Sequence, residues 1–265
     1  MVAIILEMTA LVICGYLLGN VFGAKILCKI TGDDLSKKGS GNYGTMNTLR
    51  SIGAFQGLAV LLFDALKGSL IAFLGYLVCG QLGLYIGGLS VVIGHIYPVF
   101  YHFKGGKGFA TFIGVVCVAN WIVGVPLFIL LVVMICITKQ GAICDLSYAL
   151  IMAIVNSIMS GSKNAFVYIL LWGMTALVFW AHRTNIVRII QHKENKTELA
   201  SQIKKAFTHK HTDKQATEKT ATEPNANISQ QQTENINDTT AGVEEMAGVS
   251  EQNNEQTDVE NNGEK

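Results

Sequence analysis

Apolar runs close to the width of a bilayer alternate with short polar segments until about residue 190, where the alternation stops. A helix needs about 20 mostly apolar residues, with a lower limit near 17, to cross the hydrocarbon core. On that measure the runs predict seven transmembrane helices, over 2–24, 54–79, 81–101, 109–125, 126–138, 142–161 and 164–182. Those at 126–138 and 142–161 are the weakest, one short and the other carrying Asp145, Ser147, Asn156 and Ser157. Pro98 and Pro126 are expected near span ends, where a missing amide proton costs least. The first run starts at Val2 with no basic stretch before it, is interrupted by Glu7, and is followed by the bulky Asn20-Val21-Phe22. It reads as a retained span, not a cleaved signal.

Composition agrees. Half the residues are hydrophobic, 15% are charged, and mean hydropathy is +0.38. That balance excludes an ordinary soluble domain and predicts an all-α polytopic membrane protein. The net charge of +1 conceals a division. Residues 1–190 hold 12 Lys/Arg against 5 Asp/Glu, whereas 191–265 hold 8 Lys against 14 Asp/Glu. The first part is expected to be the integral membrane domain. The second, rich in Thr, Asn, Gln and Glu, is expected to be a disordered acidic cytoplasmic tail, because it has too little apolar surface to offset its ordering entropy. A short amphipathic helix is foreseen within it over 193–205.

The basic residues also orient the chain. With the N-terminus outside, Lys25, Lys29, Lys37, Lys38, Arg50, Lys104, Lys107, Lys139 and Arg183 face the cytoplasm and only Lys163 faces out. The positive-inside rule favours this arrangement, which needs an odd number of spans. The six cysteines form no CxxC pair and are expected to act as small buried hydrophobes.

Three polar clusters then fall on one side of the bilayer. The first is Gly39-Ser40-Gly41-Asn42-Tyr43-Gly44-Thr45-Met46-Asn47-Thr48-Leu49-Arg50. Its glycines let backbone amides converge on an anion, Ser40, Asn42, Thr45 and Asn47 add neutral donors, and Arg50 supplies a bidentate fork. The second, Lys104-Gly105-Gly106-Lys107-Gly108, feeds an apolar run. A glycine loop at a helix N-terminus with two lysines suits a phosphate, although the GxxxxGK[ST] spacing of a nucleotide-hydrolysing loop is missing. The third is His182-Arg183-Thr184-Asn185 at the last span's exit. Within the spans, Asp64 and Lys67 share one helix face and are expected to form a structural ion pair. His95 lies near Pro98 and the second glycine loop and is a candidate for catalysis.

These residues resemble the acyl-phosphate-dependent glycerol-3-phosphate acyltransferases of bacterial membranes. The resemblance rests on GSGNYGTMNTLR at 39–50, FDALKG at 63–68, GHIYPVFYHFKGGKGFAT at 94–111 and HRTNIVRI at 182–189. It covers 1–190. The family pattern usually reads Gly-Ala-Thr-Asn where this chain has Gly44-Thr45-Met46-Asn47, and has a smaller aliphatic residue at Phe109 and Leu at Ile189. Membership implies a seven-span fold in the plasma membrane with its site facing the cytoplasm. It implies acyl transfer from acyl phosphate to the 1-hydroxyl of glycerol 3-phosphate, giving lysophosphatidic acid and inorganic phosphate.

The donor is a mixed anhydride, so positioning and charge stabilisation suffice and no acyl-enzyme is needed. Ser40, Arg50, Lys107 and His95 are the expected catalytic set. Gly39, Gly41, Asn42, Asn47, Lys104, Gly105, Gly106, Gly108, His182, Arg183 and Asn185 are expected to bind the phosphates. The base is either His95 or a phosphate oxygen of the substrate. The expected partners are the two substrates and the bilayer, with no nucleic acid, metal or cofactor. The rival reading is a transporter of phosphate or an organophosphate. Against it, there is no duplicated half, and the anion-binding groups lie at one interface instead of the midplane.

Overall fold

The computed structural model describes residues 2–204, and all regular structure among them is helical. The helices are α1 (Val2–Gly19), α2 (Gly23–Thr31), α3 (Thr45–Ser51), α4 (Ala54–Ile96), α5 (Phe109–Ala119), α6 (Trp121–Thr138), α7 (Gly141–Met159), α8 (Ala165–Ala181) and α9 (Arg183–Ile190). A last helical turn begins at Leu199. Most of the expected tail, 205–265, lies outside the described residues. Its first part is structured and packs on the protein.

Large apolar side chains point outward along the long helices: Leu66, Leu77, Ile129, Ile137 and Ile158 are all more than half exposed. In water such a belt would be a severe aggregation liability, whereas in lipid it is the favourable arrangement. Four stretches are long and apolar enough to cross a bilayer, namely Val2–Thr31, Ala54–Tyr101, Trp121–Thr138 and Gly141–Met159. The α8–α9 pair, bent by 58°, makes a fifth if it counts as one span.

The 43-residue α4 would be about 65 Å long if straight, twice the hydrocarbon thickness. It folds back on itself instead. Cys79 and Gly80 leave helical geometry, Gly80 with a φ of 53° that favours glycine. A Cβ on Gly75 would collide with the Gly83 carbonyl, and one on Gly87 with that of Ile71. The pairs 75/83 and 71/87 are symmetric about residue 79, so the two halves run antiparallel in close contact. Small residues are what permit backbones to approach this closely inside a membrane. The break falls where the sequence predicted the end of its second span.

The next boundary is a correction. The sequence placed it at Pro126, but α5 ends at Ala119 and α6 already begins at Trp121, with Pro126 inside it. Asn120 makes the break: its side chain accepts a hydrogen bond from the Val123 amide and caps α6. At 11 residues, α5 is only about 16 Å long. The core lies between the second half of α4, α5, α7 and α8, where Tyr85, Phe112, Tyr148, Met152 and Met174 are fully buried.

Candidate active site

The polar loops meet at one end of this bundle. Asn47 organises the first. Its side-chain oxygen accepts from the Ser40 amide at 2.9 Å, while its nitrogen donates to the carbonyls of Lys38 (3.0 Å) and Asn42 (2.9 Å). Gly39 and Gly41 take φ values of 57° and 70°, which turn the loop around that amide. Asn47 therefore shapes the loop, and Ser40 and Asn42 are presented at the cavity. Helix α3 then carries Arg50 inward. Its Nε donates to Met46 O at 3.0 Å and its Nη1 to Asn195 O at 3.3 Å.

The second loop packs directly on His95. The Gly106 amide donates to His95 O at 3.0 Å. A Cβ on Gly105 would meet the carbonyls of His95 and Ile96, and one on Gly106 would meet His95 Nε2. The glycines are thus required for contact with the end of α4, not only for approach to an anion. Lys107 and Gly108 line the cavity, whereas Lys104 is exposed and outside it.

At the third cluster His182 is buried at the α8–α9 bend, with Nδ1 2.8 Å from Val178 O and Nε2 3.9 Å from Asp145 Oδ2. Asn185 is buried behind the wall; its Nδ2 donates to Glu194 at 2.7 Å, and its Oδ1 has no partner among the described residues. Glu194 also pairs with Arg188 at 3.1 Å. Arg183 points away, its guanidinium over the Trp180 ring at 5.1 Å. Of the expected phosphate-binding residues, Asn42, Asn47, Gly108 and His182 line the cavity, whereas Gly39, Gly41, Lys104, Gly105, Gly106, Arg183 and Asn185 do not.

The cavity has a volume of about 370 Å³ and a lining of mixed chemistry. Ser40, Asn42, Arg50, His95, Lys107 and His182 are among its polar side chains, and Asp145 lies near Lys107, Arg50 and His182. Leu58, Leu61, Ile113, Phe128, Leu131 and Ile135 are among its apolar ones. Burial lowers the Lys107 ammonium to about 8; Asp145 and Glu194 oppose this, and Arg188 and Arg50 add to it. Burial also lowers the Arg50 guanidinium from its ordinary value. It stays charged, because guanidinium starts far above physiological pH.

Two contributors were not assigned from sequence. Asp145 stood out only as a polar residue weakening a span, which is itself the signal of an inward-facing functional group. The stretch from Lys193 is assigned to the tail by sequence, yet Asn195 meets Arg50, Glu198 pairs with Lys139 at 2.8 Å, and Leu199 and Ile203 add to the apolar lining of the cavity. The foreseen helix within 193–205 forms only from Leu199.

The site is therefore a cavity lined by cations and by apolar side chains, set within a lipid-facing helical bundle, and the fold is that of an integral membrane protein. The glycerol-3-phosphate acyltransferase family model matches residues 9–192. Glycerol-3-phosphate acyltransferase of Thermoanaerobacter pseudethanolicus is 34% identical over 193 residues, spanning 72% of this chain and 96% of that one. The enzyme of Finegoldia magna is 36% identical over 186 residues, 70% and 93% of the two chains. Among solved structures, the integral membrane glycerol 3-phosphate acyltransferase PlsY (YgiH) superposes in its glycerol 3-phosphate form with a TM-score of 0.67. The two are 31% identical, over 71% of this chain and 94% of that one. Its lysophosphatidic acid form gives 0.66 at 30% identity, over 73% and 96%. The chain belongs to the glycerol-3-phosphate acyltransferase family and is an acyltransferase.

Proposed function

We propose that the enzyme transfers a fatty acyl group from acyl phosphate to the 1-hydroxyl of glycerol 3-phosphate, releasing lysophosphatidic acid and inorganic phosphate. The observation that carries this reading is a single cavity lined both by Arg50 and Lys107 and by a set of apolar side chains that includes Leu58, Leu61, Ile113, Phe128, Leu131 and Ile135. Both substrates bring a phosphate, and only the donor brings a long chain.

The hydroxyl oxygen attacks the acyl carbon, the carbon–oxygen bond to phosphate breaks, and the hydroxyl proton ends on a phosphate oxygen. Arg50 and Lys107 hold the anions and stabilise the charge that moves onto the leaving group. Ser40 and Asn42 add polar contacts at the mouth, and His182 and Asn185 close the wall. No side-chain base is required, since the leaving phosphate is itself a proton acceptor of suitable strength.

The same reading has seven crossings in a bacterial plasma membrane, the N-terminus outside and the cavity facing the cytoplasm. Its support is the distribution of lysine and arginine between spans. Purified protein is to be given acyl phosphate and glycerol 3-phosphate, with phosphate release followed, and acyl-CoA and acyl carrier protein run as alternative donors. Lysophosphatidic acid formed, with phosphate released, only when acyl phosphate is the donor supports the proposal. Lysophosphatidic acid formed with a thioester donor alone, where the leaving group is a thiol, refutes the donor, and acceptor uptake into vesicles without acylation favours the transporter.

A further inference from the structure

The mechanism leaves unused the most buried charges among the described residues. Asp64 and Lys67 are 1% and 3% exposed and form an ion pair at 2.7 Å within α4. The pair does more than neutralise itself. Lys67 Nζ also donates to the carbonyl of Val21 at 2.6 Å, lies 3.3 Å from that of Gly19, and is 2.9 Å from His95 Nδ1. Those carbonyls flank the break between α1 and α2, and His95 ends the returning half of α4. Asp64 lies 3.8 Å from the same Nδ1. The ammonium therefore joins three parts of the chain beside the wall of the cavity.

An ammonium has three hydrogens and no lone pair. Lys67 Nζ donates to the Asp64 carboxylate and to both carbonyls, which takes the three hydrogens of an ammonium, so the ring nitrogen facing it must be an acceptor. Neutral imidazole carries one proton, and a nitrogen accepting a bond does not hold it. The proton is then on Nε2, the nitrogen that lies against Gly106 and the phosphate loop. His182 is set the other way: its Nδ1 donates to Val178 O, which leaves its Nε2 without a proton in the neutral ring. The two histidines of one cavity present opposite groups.

We propose that Lys67, held by Asp64, is a positioning residue that fixes the His95 proton on Nε2, so that His95 meets a substrate phosphate oxygen as a hydrogen-bond donor and not as a base. This rests on the acyl-transfer reading for its consequence, though not for its geometry. Without the ammonium, Nδ1 would face the carbonyls of Gly19 and Val21, both acceptors, and the proton would move to Nδ1. A lone pair on Nε2 would then oppose the phosphate.

The test is nitrogen-15 NMR of the full chain, labelled at histidine, in detergent, with His95→Gln used to identify the ring's signals. In the wild type Nε2 is expected protonated and Nδ1 unprotonated; the reverse, or an even mixture, overturns the proposal. In Asp64→Asn/Lys67→Met, which leaves no unpaired buried charge, the proton is expected on Nδ1. kcat/KM is expected to fall at least about tenfold, the effect of one lost hydrogen bond. An unmoved tautomer with a rate within about twofold of wild type overturns it equally. Should that variant not fold, the wild-type spectrum alone decides. Should the wild type release no phosphate from acyl phosphate, the functional reading fails while the spectrum still tests the positioning.

Discussion

Lys107 is expected to place an upper pH limit on the enzyme, and arginine at the same position is expected to remove it. Its ammonium is lowered from 10.5 to about 8, chiefly by burial. At about 1.4 kcal/mol per unit, this corresponds to roughly 3 kcal/mol against the cation in the empty cavity. Between pH 7 and pH 9 the charged fraction then drops from roughly nine-tenths to roughly one-tenth. A phosphate monoester, with its second ionisation near about 6, stays dianionic throughout. The change in anion binding thus comes from the lysine.

kcat/KM for glycerol 3-phosphate reports the free enzyme and is expected to fall about tenfold over that interval. kcat at saturation holds to higher pH, because a bound dianion raises the lysine again. Lys107→Arg is expected to flatten the profile. Stability moves the opposite way. Between pH 8 and 10.5 the folded state binds fewer protons at Lys107 than the unfolded chain does, so this group makes folding more favourable as pH rises. Loss of activity without loss of the folded state therefore separates this effect from alkaline unfolding. A wild-type profile that stays level to pH 9, or an unchanged alkaline limb in Lys107→Arg, refutes the reasoning.

Four further outcomes are expected. Arg50→Ala reduces kcat/KM by about 100-fold or more and Arg50→Lys recovers only part of it, because a point charge does not replace a bidentate fork; equal rates for Ala and wild type would remove Arg50 from the site. Asp145→Asn takes away the carboxylate that most opposes burial at Lys107, so the alkaline limb moves to lower pH by about half a unit; a pH–rate series checks this. Gly83→Leu forces apart the halves of α4 and costs about 3 kcal/mol, seen as a lower melting temperature in detergent or loss of folded protein. Ending the chain at residue 208 leaves the phosphate-release rate within about twofold, whereas ending it at 192 abolishes it by removing Glu194, Asn195 and Leu199; equal activity of the two truncations would dismiss the segment.

What could be read in the sequence divides along physical lines. The spans were visible because lipid demands long apolar runs, and the bounds 54–79 and 81–101 fall on either side of the break at Gly80. Arg50 and Lys107 stood out because each sits in a glycine-rich loop, and a plain positive-inside anchor calls for the cation but not for the glycines. Asn120 was passed over in favour of Pro126, although an Asn before an apolar run is a capping signal. A proline near the start of a membrane helix is tolerable, as neighbouring groups satisfy the carbonyl it frees. Lys104 and Lys107 were indistinguishable by type. Only the turn of the chain over His95, with Gly105 and Gly106 pressed on α4, sends one inward and the other out. The segment at 193–204 was hidden because its composition matches the tail that follows. What orders it is Arg50, Asn185 and Lys139, residues remote in sequence.

The spacing of Asp64 and Lys67 also bears on how the chain enters the membrane. Three residues apart on one helix, they neutralise each other as soon as that segment is helical. Their shared partner His95 is 28 residues beyond Lys67 and arrives only when the hairpin at Gly80 has closed. The first half of α4 can be released into lipid as a compensated dipole, without waiting for the rest of the protein to be made. Separating the same two charges onto different spans would leave each stranded during biogenesis, even if the finished enzyme were identical.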